Sequence, residues 1–344
     1  MWPFRRADPY AGTSQPIRND PSVPLVSIMI RSMDRKTLPR ALLSAARQTW
    51  ANVEIVVVAA CGEAHKPLSD NILGRPVRMV WPAAGQRLNR PLAANAAVEA
   101  ARGEWMQFLD DDDELLPENL ATLLGARRPG RERVVYASAH AQDRHGNTLR
   151  RIGLPGNHVQ LYFHNRTLTC ATVYHRSLID EGIRFDPDFP NSEDHDFQIA
   201  CATRTGFLFV DAIIATWNSE IGSSGSGFGR NEDRQMFNES VTRIRRKWHA
   251  AFEHWLGKPD HLLEAGKLYL QVEDLAPALE CLERALALRP SDGIALRWCG
   301  MANFRAGNLE RAEMLLLKAQ KRLPRDNGIR ENLAMVRAQM REPS

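Results

Sequence analysis

Two acidic runs carry the groups in this chain most able to do chemistry. Asp110-Asp111-Asp112-Asp113 directly follows the apolar stretch from Trp105 to Leu109, and Glu193-Asp194-His195-Asp196 lies further on. Like charges this close repel, so a folded chain keeps them together where something cationic offsets them. Hard divalent ions such as Mg²⁺ and Mn²⁺ take carboxylate oxygens, and the end of a buried strand is a rigid place to hold one. The plainer reading of the first run is an acidic turn ahead of a helix opened by Pro117. The plainer reading of the second is an acidic helix start.

The elements that must position these runs follow from hydrophobic period. Residues 25–30, 53–58, 77–81 and 105–109 are short apolar runs that read as buried strands. Between them, residues 38–48 and 92–102 carry apolar side chains at helical spacing. Strands alternating with helices predict an α/β fold with a doubly wound, mostly parallel sheet, in which ligands bind at the carboxyl ends of the strands. The aspartates sit at one such end. Further strands are expected over 134–140, 166–174, 207–210 and 213–217, with helices over 176–182 and from Glu193 to Thr203. A Gly/Ser loop at 222–229, readable as a lid or as a linker, precedes a basic helix over about 231–255.

From His261 the pattern changes. Gly266 and Gly300, Asp274 and Asn308, Ala278 and Ala312, Ala285 and Ala319, and Pro290 and Pro324 recur at a spacing of 34 residues. That is the period of a tetratricopeptide repeat, in which small residues mark close helix crossings. Leu268, Leu275, Leu279, Leu282 and Leu286 are expected to fill the seam between helices, and residues 329–340 to cap the open end. The expected division is a loose tail at 1–23, an α/β domain at 24–221, the loop and linker helix at 222–257, and an all-α repeat domain at 258–344.

Composition limits the classes available. The hydrophobic set is 44% of residues and charged residues 25%, ordinary for a globular enzyme. A net charge of +4 is too mild to imply nucleic acid. The 5 cysteines include no C-x-x-C pair and suit a reducing compartment. The first ten residues lack the apolar core of a signal peptide, and no apolar run approaches the ~20 residues that span a bilayer. A cytoplasmic protein is expected.

Several stretches in order carry a more specific signal. They are Pro24 to Ile30, Glu54 to Val58, Ala100 to Trp105, Phe108 to Asp113, and Phe185-Asp186 ahead of Glu193 to Phe197. Over residues 24 to about 218 the chain resembles family 2 glycosyltransferases, whose fold is GT-A. With the repeats attached, its layout is similar to the bacterial peptide S-glycosyltransferases. The resemblance implies a nucleotide-diphosphate sugar as donor, most commonly a UDP-sugar, with Mn²⁺ or Mg²⁺ as cofactor. Asp110 and Asp112 take the D-x-D positions as metal ligands, and Asp110 or Asp111 lies near the donor ribose. Asp194 is the general base, and Glu193 orients the base or the acceptor. Ser32, Asp34, Arg87, Arg90 and Asn95 complete the expected donor site.

The chain departs from the family in four places. Ala59-Ala60-Cys61-Gly62 stands where one or two aspartates usually follow the second strand and meet the uracil ring. Met33 and Asp34 replace an aromatic residue and an asparagine, and Ala94 replaces an arginine for which Arg87 or Arg90 could compensate. A late metal-binding histidine is missing from Thr216 to Glu220, with Glu220 as the candidate substitute. These changes put the uridine donor, more than the chemistry, in question. The expected function is a metal-dependent, inverting glycosyltransferase acting on a peptide, protein or surface-glycan acceptor, with a homodimer plausible. The rival of another class is a non-catalytic scaffold with a degenerate transferase domain and partner-binding repeats. A nucleotidyltransferase would need a glycine-rich phosphate loop after the first strand, and Arg31 to Arg35 holds no glycine.

Overall fold

A computed structural model of the protein describes residues 19–222, 227–229 and 232–341. Residues 1–18 of the expected tail, and 223–226 of the loop read as lid or linker, lie outside the described residues. The chain forms two compact units. The first holds residues 19–156 and 165–244, and the second holds 157–164 and 245–341. No described helix is long and apolar enough to cross a membrane.

The first unit is built on a mixed sheet. Its parallel half is β1 (Val26–Ser32), β2 (Val53–Ala59), β4 (Arg75–Val80) and β5 (Trp105–Asp110), with the two-residue β3 (Asn71–Ile72) antiparallel on β4. Five more strands follow, β6 (Glu114–Leu115), β7 (Val134–Gln142), β8 (Thr148–Ile152), β9 (Thr172–His175) and β10 (Phe207–Asn218), and the strand order is β3-β4-β2-β1-β5-β9-β7-β10-β6, with β8 paired to β7. Both faces of β1 and β2 are buried, which explains their continuous apolar runs. Val26, Ile28, Ile30, Val53, Ile55 and Val57 face helices α1 (Leu38–Ala46) and α3 (Asn119–Ala126). Met29, Val56, Val58 and Phe108 face α2 (Arg90–Ala100) and α6 (Glu193–Ala202). The expected doubly wound arrangement is present here.

Past the aspartates the sheet is mixed, with antiparallel pairs at β6, β8 and β9 and a parallel pair between β7 and β10. Strand β6 follows the aspartates and pairs with β10. Pro117 therefore does not open the helix; it sits in the turn between β6 and α3, where its carbonyl accepts from the Thr49 N–H. The strand expected over 166–174 shortens to β9 (Thr172–His175) after a single 3₁₀ turn. It runs antiparallel between β5 and β7 (Val134–Gln142). The last two expected strands are one, β10, with register shifts near Ile213. Beyond β8 (Thr148–Ile152), the helices α4 (His158–Phe163) and α5 (Ser177–Asp180) complete the middle of the chain.

The second unit is helical. It takes in α4 and the end of α7 (Arg234–Trp255), followed by α8 (Pro259–Gln271), α9 (Leu275–Leu288), α10 (Gly293–Arg305), α11 (Leu309–Arg322) and α12 (Asn327–Arg341). Helices α10 and α11 start 34 residues after α8 and α9. Glycine is required where each pair crosses. A Cβ on Gly266 would lie 2.4 Å from Leu282 Cγ, and one on Gly300 would lie 2.8 Å from Leu316 Cγ. A separate aromatic cluster forms where Tyr162 stacks on Phe252 at 4.0 Å and Phe163 meets Tyr269 edge-on at 4.8 Å.

Candidate active site

The carboxyl ends of β1 and β5 lie side by side in parallel register, with Arg31 opposite Asp110. That pairing brings a guanidinium against a carboxylate: Arg31 Nη2 lies 2.7 Å from Asp110 Oδ1, and Arg31 Nε donates to the same oxygen at 2.9 Å. Beyond Asp110 the backbone turns, with the Asp113 N–H donating to the Asp110 carbonyl. The four aspartates consequently point to different partners. Asp111 is fully buried and holds the loop after β1, accepting from the Met33 N–H at 2.7 Å and pairing with Arg35. Asp113 accepts from the Asn218 N–H at 2.9 Å, and the Asn218 side-chain amide donates to the Asp112 carbonyl.

Asp110, Asp112 and Asp113 bring carboxylate oxygens within 4.8 Å of one another. Burial pushes all three pKa values up, but Asp110 ends below the ordinary value because Arg31 and Arg90 outweigh that effect. Burial, then the charge on Asp110, raises Asp112 to about 6, with Arg35 pulling the other way. Asp113 is pushed well above the usual carboxylate range by burial and by Asp112. Three hard oxygen donors with too little positive charge among them fit a divalent cation such as Mg²⁺ or Mn²⁺.

The second acidic run opens α6 immediately after Ser192, whose φ of 57° turns the chain sharply. Glu193 is completely buried. Its Oε1 accepts from Arg31 Nη1 at 2.5 Å and from Arg90 Nε at 3.1 Å, while its Oε2 has no hydrogen-bond partner among the described residues. Asp194 is partly exposed; Oδ2 accepts from the Asn165 amide at 2.8 Å, and Oδ1 from the His195 N–H at 2.9 Å. Arg31 and Arg90 thus join both acidic runs, since Arg90 also lies 3.6 Å from Asp110 Oδ2.

The other expected donor-site residues differ in their surroundings. Ser32 Oγ lies 2.7 Å from His65 Nε2 and accepts from the Asp34 N–H at 3.0 Å. His65 Nδ1 faces the Lys66 carbonyl at 2.7 Å, and because a carbonyl only accepts, Nδ1 is the donor there. Asp34 is left-handed, with φ 55°, and its carboxylate accepts from the Lys66 N–H at 3.4 Å. Arg87 is exposed. Asn95 spends both ends of its amide on the backbone of Phe185, at 2.8 and 2.9 Å. At the end of β10, Asn218 rather than Glu220 meets the acidic turn.

Arg31, His65, Asn165 and Asn218 were not among the expected site residues. Arg31 had one available signal, a cation in an otherwise apolar strand that leads toward an acidic neighbour. The other three act across long sequence separations and left no local pattern.

Comparison with known proteins bears on the first part of the chain. Residues 27–186 match the model of Glycosyl transferase family 2. The matched segment covers β1 to β5, the acidic turn and the chain up to Asp186, stopping short of Glu193. The succinoglycan biosynthesis protein ExoO of Rhizobium meliloti is 34% identical over 105 residues, which are 30% of this chain and 29% of that protein. The glycosyltransferase MJ1057 of Methanocaldococcus jannaschii is 24% identical over 189 residues, 52% of this chain and 64% of that one. Matches to curated relatives span 26% to 64% of those proteins' lengths. Among solved structures, S. aureus TarS overlays with a TM-score of 0.46 and 16% identity, covering 93% of this chain and 56% of that one.

Proposed function

We propose that the chain is a metal-dependent, inverting glycosyltransferase that moves a sugar from a nucleotide-diphosphate sugar to a peptide, protein or surface-glycan acceptor. One observation carries this reading. Arg31 donates to carboxylates 79 and 162 residues away, at Asp110 and Glu193, and so gathers the two acidic runs at the carboxyl end of the sheet. The family match over residues 27–186 supports the same class of chemistry.

In this reading Asp110 and Asp112, with Asp113 beside them, hold Mn²⁺ or Mg²⁺. When bound, the cation offsets the charge that builds on the departing diphosphate. Asp194, partly exposed and steadied by Asn165, removes the acceptor proton as the acceptor attacks the anomeric carbon in line. Glu193 stays behind it as an orienting group, since its buried oxygen is held by two arginines. Asp111 acts on the donor indirectly, by shaping the loop from Ser32 to Arg35. The helix pairs from α8 to α11, repeating at 34 residues with glycine at each crossing, support a tetratricopeptide array that recruits the acceptor.

The test is direct. The protein is incubated with Mn²⁺ and a panel of nucleotide-sugars, and released nucleoside diphosphate is measured with peptide and glycan acceptors. Turnover is expected with at least one donor, falling at least ~100-fold in Asp194→Asn and in Asp112→Asn. Release from no donor, or full activity in Asp194→Asn, would refute the reading. The scaffold alternative is favoured by one observation: Ala59, Ala60 and Cys61 supply no carboxylate after β2. Calorimetry separates the two, because a scaffold has no need of Mn²⁺-dependent binding of a nucleoside diphosphate.

A further inference from the structure

We infer that Arg31 is a positioning residue that locks the cation-holding turn to the start of α6, and so sets where the base at Asp194 stands. This rests on the glycosyltransferase reading above, but the role follows from geometry that neither acidic run contains by itself. Arg31 is the last-but-one residue of β1, in register with Asp110. Its side chain is only 5% exposed. Nε and Nη2 are both spent on Asp110 Oδ1, and Nη1 on Glu193 Oε1 at 2.5 Å. A planar fork with fixed donor directions holds two carboxylates at a fixed separation, which a compact ammonium cannot do.

Arg90 reaches the same two carboxylates from α2, but at 3.6 Å from Asp110 and with a side chain 32% exposed. It is the outer clasp and Arg31 the inner one. Glu193 makes the arrangement sensitive. It is 0% exposed and its second oxygen has no partner among the described residues, so the bonds to Oε1 fix its place. Asp194 is the next residue along. With Arg31 gone, a fully buried carboxylate keeps one guanidinium, and the first turn of α6 can shift relative to the acidic turn. Asp111 and the loop it holds after β1 bond to Met33 and Arg35 rather than to Arg31, and stay in place.

That separation gives a signature which loss of folding cannot imitate. Wild type, Arg31→Gln and Arg31→Lys are compared by steady-state kinetics with Mn²⁺ and the active donor, and by calorimetric Mn²⁺ titration of the donor-free protein. In Arg31→Gln we expect kcat to fall roughly 30- to 100-fold while the donor KM stays within about threefold, because misplacing a catalytic group by ~1 Å costs on this order. Arg31→Lys restores the charge but not the fork, so its kcat falls about tenfold. Mn²⁺ affinity in both is expected to match or exceed that of wild type, since Arg31→Gln removes a positive charge beside Asp110 and Arg31→Lys adds none.

A kcat within about threefold of wild type in Arg31→Gln would overturn the inference, as would Mn²⁺ affinity and kcat falling together by tenfold or more in both variants. Should Arg31→Gln fail to fold, the same limits apply to Arg31→Lys, for which an unchanged kcat is overturning. An inactive wild type with every donor would instead remove the glycosyltransferase reading, and the role of Arg31 with it.

Discussion

A carboxyl group whose pKa is higher in the folded chain than in the unfolded one binds protons more tightly when folded. Asp112, pushed up to about 6 by burial and by Asp110, is such a group, and Asp113 shifts the same way. Its contribution to stability is complete below the unfolded value of about 3.9 and is lost as pH rises through about 6. The chelator-treated protein should therefore melt at a higher temperature near pH 5 than near pH 7, with the difference reduced in Asp112→Asn. Added Mn²⁺ should raise the melting temperature at pH 7 more than at pH 5, because protons and cation compete for the same oxygens. Equal melting-temperature differences in wild type and Asp112→Asn would contradict the assignment. The acidic runs could be read from sequence because like charges placed side by side are conspicuous without any fold. Arg31 could not be read in the same way, because a single arginine at a strand end is ordinary until register sets it opposite Asp110.

At the scale of elements, the cost of a side chain depends on what it meets. Gly266→Ala places a methyl 2.4 Å from Leu282 Cγ, inside a seam where Leu282 is fully buried, and overpacking of this kind destabilises by about 1–3 kcal/mol. Gly125→Ala, near the end of α3, meets nothing within 4 Å and should stabilise by about 0.4–1 kcal/mol through helix propensity. Chemical denaturation of the two variants should move the midpoint in opposite directions. Asn95→Ala belongs with the first. It strips two hydrogen bonds from the Phe185 backbone and should lower stability by about 1–3 kcal/mol while leaving nucleotide affinity near wild type. Strands β1 and β2 were legible because both their faces are buried and their apolar runs have no competing period, whereas the two-residue β3 is too short to leave one. Helix α4 was missed because six residues hold less than two turns of pattern. Its Asn157–Gln160 capping box was the signal available. Strand β9 was overextended because Thr, Leu and Cys suit a strand even where the backbone makes a 3₁₀ turn.

For the whole molecule, the return of residues 157–164 to the second unit decides how that unit can be tested. Removing everything after Gly257 looks like a clean way to ask whether the helical array recruits the acceptor. The packing says otherwise. Val159, Tyr162, Phe163 and Phe252 are buried in one cluster with Leu262, Ala265, Leu268 and Ala285, all of which that deletion removes. A Phe or Tyr of this size loses about 1.5–3 kcal/mol when its cover is taken away, and three of them together approach the 5–15 kcal/mol that holds a typical domain folded. We therefore expect chain 1–257 to melt well below the full chain, or to aggregate, and to lose donor hydrolysis together with transfer. A double substitution, Tyr162→Ala with Phe252→Ala, in the full-length chain should reproduce much of that loss, because this pair, stacked at 4.0 Å, supplies two of the large rings that the truncation would uncover. If chain 1–257 instead melts within a few degrees of the full chain, the aromatic cluster contributes little. Its donor hydrolysis and acceptor transfer could then be compared directly to test recruitment.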